Sequence, residues 1–106
     1  GAPFTALDPR PEAQKFVAAF RARFDADPDG NAALAYDAVH VMVAGLRAVG
    51  ADRARLRDWL ASRTEAQAVP GVTGAIAFLP SGDPVGKSFV MTRVRNGALV
   101  PAEDAR

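Results

Sequence analysis

The chain has 106 residues, of which 49% are hydrophobic and 24% charged, a composition that fits one globular domain or a piece of a larger one. Thirteen basic residues against twelve acidic leave a net charge of +1, which gives no electrostatic case for nucleic acid or an anionic lipid surface as partner. There is no cysteine, hence no disulfide frame and no thiolate chemistry. The longest apolar run, "AVHVMVAGL", is broken by His40 and falls far short of the roughly 20 residues of a membrane span.

Residues 1–11 hold three prolines and little periodicity, so they read as an extended lead-in. Pro11 and Glu12 open a first helix, expected over about 11–26, on which Phe16, Phe20 and Phe24 recur at four-residue spacing. Such a stripe predicts a core-facing side, with Lys15, Arg21 and Arg23 on the other.

The loop that follows, "DADPDGNAALAY", begins like an EF-hand calcium loop. Counted from Asp25, Asp27 and Asp29 take the next two ligand positions and Gly30 the sharp turn. The match then fails. Ala33 stands at the ninth position and Tyr36 at the twelfth, where a bidentate glutamate is required. No metal is expected, and the aspartates read as turn formers, with Asp29 or Asn31 capping the next helix.

That second helix, about 31–49, is apolar on nearly every face, with Leu34, Tyr36, Val39, Met42, Val43 and Leu46 among its residues. A helix of this kind is expected to be covered on most sides, by a larger body or by an oligomer. Gly50 ends it. A third helix, about 52–63, gathers Leu56, Trp59 and Leu60 on one face. Its arginines 53, 55 and 57, with Asp52, Asp58 and Glu65 interspersed around them, read as a solvated face. Asp52 is placed to cap it.

After Gly71 the pattern changes to strands: "TGAIAFL" over about 73–79, then "SFVMTRV" and "RNGALV", the last two joined at the hairpin pair Asn96-Gly97. The chain by itself is expected to be α+β, three helices followed by about three short strands.

Three motifs in this order carry a resemblance: "AYDAV" at 35–39, "GVTGAIAF" at 71–78 and "SGDPVG" at 81–86. With the helices around them they resemble the C-terminal segment of a type I periplasmic solute-binding protein, of the branched-chain amino-acid (Leu/Ile/Val) receptor group that serves ABC importers. The resemblance spans about residues 12–100. It implies an α/β, two-lobed type I periplasmic-binding-protein fold, with residues 1–88 in the N-terminal lobe and 89–106 crossing to the other lobe. It also implies that a residue at the end of the loop before "AYDAV" contacts the solute, and by position that residue is Asn31. An aromatic side chain is common there in the branched-chain receptors, so asparagine departs from a purely aliphatic preference. Capping of the helix by Asn31 stays open beside that role.

On this resemblance the chain is part of an extracytoplasmic receptor, periplasmic or extracellular, soluble or lipid-anchored. It would bind an amino acid or a related small polar solute and deliver it to the membrane permease of an ABC importer. A stand-alone dimeric interaction module of the same ancestry is the alternative, with a homodimer covering the apolar helix. No enzyme is expected and no cofactor. The single histidine, His40, has no positioned partner for acid–base work and reads as a packed core residue.

Overall fold

The computed structural model describes residues 4–87, 89 and 91–102. Three helices, α1 (Pro11–Phe24), α2 (Gly30–Val49) and α3 (Arg53–Ala61), are followed by a single 3-10 turn at Glu65–Gln67. Four short strands come next among the described residues: β1 (Ala77–Phe78), β2 (Pro84–Val85), β3 (Thr92–Arg95) and β4 (Ala98–Pro101). The order is the expected α+β one. Parts of the expected final segment, at 88, 90 and 103–106, lie outside the described residues.

Contacts divide the chain into two compact units, Gly1–Leu34 with Ser88–Arg106, and Ala35–Lys87. Helix α1 groups with the final strands, and α3 with the remainder of α2. Periodicity reveals that α1 has an apolar face, but it carries no information about which segment covers that face.

In the first unit, α1 starts with proline at its first position and Glu12 in its first turn. It stops at Asp25, which adopts the left-handed conformation at φ 53° and donates its N–H to the Arg21 carbonyl. Phe4 of the lead-in meets Phe16 edge-on at 5.6 Å, and Phe16 touches Phe20 at 5.9 Å. The aromatic stripe is buried only at its start. Phe16 is 5% exposed, whereas Phe24 is 58% exposed. Strands β3 and β4 pair antiparallel, with Val94 opposite Leu99. Asn96 (φ 52°) and Gly97 (φ 77°) both take positive φ, the requirement of a two-residue turn that matches strand twist.

In the second unit, α3 is capped by Asp52, whose Oδ1 accepts the Arg55 N–H at 2.9 Å. It meets α2 closely at Gly45, where a Cβ would lie 2.5 Å from Leu56 Cδ1 and 2.9 Å from Trp59 Cε3. Arg63 lies over the Trp59 ring at 4.3 Å and donates to the Trp59 carbonyl. A bridge between Val69 and Ile76 leads into the β1–β2 pair, with Ala77 opposite Val85.

Helix α2 turns inward a stripe of Ala33, Asp37, Val41 and Gly45, four residues apart. The large apolar side chains lie elsewhere: Leu34, Tyr36, Val39, Met42, Val43 and Leu46 are exposed. The expected covering of this helix on most sides is therefore not supplied by the described residues. At twenty residues α2 is also long and apolar enough, by length and composition alone, to cross a membrane. The sequence expectation stopped short of that length because it broke the run at His40, a residue the helix accommodates without interruption.

Candidate functional site

The loop between α1 and α2, in the first unit, places each of its three aspartates in a different task. Asp25 ends α1. Asp27 pairs with Arg21, and the hydrogen bond between them holds the Asp27 carboxyl below its usual range and raises Arg21. Asp29 caps α2, its Oδ1 accepting the Ala32 N–H at 2.8 Å. Among the described residues no three His, Cys, Asp or Glu side chains gather as a metal centre.

With Asp29 as the cap, Asn31 stands exposed in the first turn of α2. A cleft of about 450 Å³ opens in the same unit, lined on its apolar side by Phe4, Leu7, Ala98 and Leu99 and on its polar side by Asp27 and Asp29. Gly30 also lines it, whereas the next residue, Asn31, does not. Nearby in the lead-in, Asp8 is 7% exposed and receives the Arg10 backbone N–H and guanidinium. Burial pushes its carboxyl up, and the Arg10 hydrogen bonds and charge together outweigh this, leaving it below the ordinary value.

The second unit holds a polar cluster that sequence reading did not single out. Asp37 is 3% exposed. Its Oδ1 accepts the Val72 N–H at 2.8 Å, and its Oδ2 accepts both the Thr73 N–H, at 2.9 Å, and the Thr73 hydroxyl. Lys87 Nζ in turn donates to Thr73 Oγ1 and, at 3.3 Å, to the Thr73 carbonyl. A threonine hydroxyl has one proton to give and lone pairs to receive, so Thr73 can serve both neighbours at once. Burial lowers the Lys87 pKa and the Asp37 charge opposes that shift. Gly71 completes the cluster: a Cβ there would lie 2.6 Å from Asp37 Oδ2.

The cluster satisfies a buried carboxylate with two amides and a hydroxyl, and so fixes the backbone at 71–73. It explains two of the sequence motifs physically. The aspartate of "AYDAV" holds the turn of "GVTG", whose glycine gives it room. The sequence signal was present in both motifs, but the 35-residue separation of Asp37 from Val72 hid their relation.

His40, expected in the core, is exposed. It stacks on Tyr36 at 4.1 Å, and its Nδ1 lies 2.9 Å from the Tyr36 carbonyl. The physical reason is rotation about the helix axis. Val41 is on the inward stripe, and His40, one residue earlier, lies about 100° away from it.

The sequence profile of the family described as periplasmic binding protein matches residues 1–98. The chain belongs to this family. Its structure is similar to those of solved solute-binding proteins, two of them from ABC transporters. A solute-binding protein from R. palustris in complex with benzoate is 25% identical, with a TM-score of 0.78 over 93% of this chain and 27% of that one. A substrate-binding protein from Desulfitobacterium hafniense in complex with Leu is 27% identical, with a TM-score of 0.73 over 93% of this chain and 29% of that one. A leucine-binding protein from Thermotoga maritima is 28% identical, with a TM-score of 0.69 over 92% of this chain and 27% of that one. No curated protein sequence gives a significant match. The chain thus has the type I periplasmic-binding-protein fold over a segment that spans 27% of the first of these receptors.

Proposed function

We propose that the chain is part of an extracytoplasmic solute receptor that binds an amino acid or a related small polar or aromatic acid for an ABC importer. The observation that carries this reading is the family match over residues 1–98, joined to the likeness to receptors solved with benzoate and with Leu. Those two solutes share a carboxylate on a small apolar body. The receptor would work by hinge closure, the solute favouring the closed form through its higher affinity for that form. Its partner would be the permease of the importer, and its location periplasmic or extracellular.

Within this segment, Asn31 is the proposed solute contact. Its amide can donate and accept, it is exposed, and Asp29 already serves as the cap of α2. A solute with a polar group on its side chain would suit it better than a purely aliphatic one. Titration of the complete receptor with leucine, benzoate and the polar amino acids, followed by calorimetry, tests the reading. Saturable binding of one carboxylate solute with a more compact scattering profile is expected. A native gene product of the 11.1 kDa mass of this chain, dimeric and indifferent to the whole panel, would overturn it in favour of an interaction module.

A further inference from the structure

The cleft of the first unit is walled by three stretches of chain: the lead-in at 4–7, the loop and helix start at 27–30, and the β3–β4 pair. All three belong to that one unit. Hydrogen bonds fix the lead-in wall. Leu7 donates its N–H to the Thr5 hydroxyl at 3.2 Å, and Asp8 donates its N–H to the Thr5 carbonyl at 3.0 Å. From α1, Gln14 Nε2 donates to the Ala6 carbonyl at 3.1 Å and to the Asp8 carbonyl at 2.6 Å. Phe4 is packed edge-on against Phe16 and is buried, whereas Leu7 and Leu99 are exposed. At about 450 Å³ the cleft has the size of a small-molecule site. The charged side chains on it are Asp27 and Asp29, and no Lys, Arg or His is among the described residues that line it.

We propose that this cleft seats the apolar body of the receptor's solute, and that Asp27 and Asp29 exclude a solute carrying a second carboxylate. The inference rests on the receptor reading and narrows it to one solute class, monocarboxylates with an apolar body. Leu7 and Leu99 exchange water for such a body, which favours its entry. A second carboxylate would have to shed its hydration beside groups of its own sign. Arg21 offsets part of the Asp27 charge, but it does not line the cleft. Its hydrogen bond also holds the Asp27 carboxyl below the usual range, which keeps that group ionised. Asp29 uses one carboxylate oxygen, Oδ1, to cap α2. Asn31 does not line the cleft, so this selectivity is separate from the polar contact proposed for that residue.

The test uses the complete receptor carrying this segment, with leucine and two matched pairs of probes, benzoate with terephthalate and glutamine with glutamate. Within each pair the second probe carries one more carboxylate. Calorimetry on the parent is expected to show the monocarboxylate bound at least about tenfold more tightly, the effect of like charges brought together. In Asp27→Asn/Asp29→Asn that preference should shrink about fivefold or more. Asparagine keeps an oxygen to cap α2, so the double variant retains its fold. Leu7→Ser and Leu99→Ser, both at exposed positions, are expected to weaken the best-bound probe about tenfold with an unchanged urea midpoint. Bound solute should also slow amide exchange in peptides covering 4–7 and 97–100. Tighter binding of a dicarboxylate by the parent, a preference unchanged in the double variant, or no effect of either serine overturns the cleft assignment while the receptor reading stands. A parent that binds none of the five probes overturns the receptor reading, and this inference with it.

Discussion

Asp37 and Thr73 are joined twice, through the Thr73 amide at 2.9 Å and the Thr73 hydroxyl, although they lie 36 positions apart in the sequence. With the Val72 amide, three donors converge on one buried carboxylate. Asp37→Asn keeps the shape but turns an amide donor toward at least one of those donors. A loss of about 3 kcal/mol in urea-unfolding free energy is expected, since a buried donor left facing a donor forfeits its full solvation. A change below about 0.5 kcal/mol, the range of an ordinary surface substitution, would remove Asp37 from this role.

Gly71 is small for a steric reason. Its Cβ would meet Asp37 Oδ2 at 2.6 Å and Asp37 Cγ at 2.8 Å, and that carboxylate is held on both oxygens. Gly71→Ala is expected to cost about 2 kcal/mol, as overpacking against a group that cannot yield does. In an Asp37→Ala background the same substitution should become nearly neutral. A double-mutant cycle by urea denaturation measures that coupling.

Acid should find Asp8. Its folded-state pKa lies below the ordinary 3.8, because Arg10 outweighs the opposing effect of burial. The stability it contributes is therefore complete above the unfolded value and is lost as pH falls through the folded one. Urea midpoints taken downward from about pH 5 should decline less steeply in Asp8→Asn than in the parent, and parallel curves would show that another carboxylate is responsible.

Calcium should leave the protein indifferent. Asp25 ends α1, Asp27 pairs with Arg21 and Asp29 caps α2, so the three carboxylates are engaged separately. Addition of about 1 mM calcium chloride is expected to leave the melting temperature unchanged, and a rise of several degrees would require a ligand set in this loop.

Asn31 should separate stability from binding. Its exposed side chain is not the cap, so Asn31→Ala is expected to change unfolding free energy by less than about 0.5 kcal/mol. The same variant should weaken solute binding by the complete receptor about tenfold, the worth of a lost polar contact. Equal affinities in calorimetry would remove Asn31 from the solute contacts.

The sequence by itself determined the local elements, because their causes are local. Pro11 opens α1, Asp52 caps α3, Gly50 ends α2 at φ 80°, and Asn96-Gly97 makes its hairpin turn through positive φ at both residues. The ordered set of three motifs was legible too, and it led to the family. Tertiary structure alone decided which face of each element meets what. α1 grouped with the final strands, the Phe stripe was buried at Phe16 and open at Phe24, and His40 turned outward. It also decided that Asp37, read as one letter of a motif, is the group that Val72, Thr73 and, through Thr73, Lys87 depend on. Periodicity reports only neighbours within a few residues along the chain. A carboxylate that binds amides 35 and 36 positions away has no local signature, and its partners are known only when the fold brings them together.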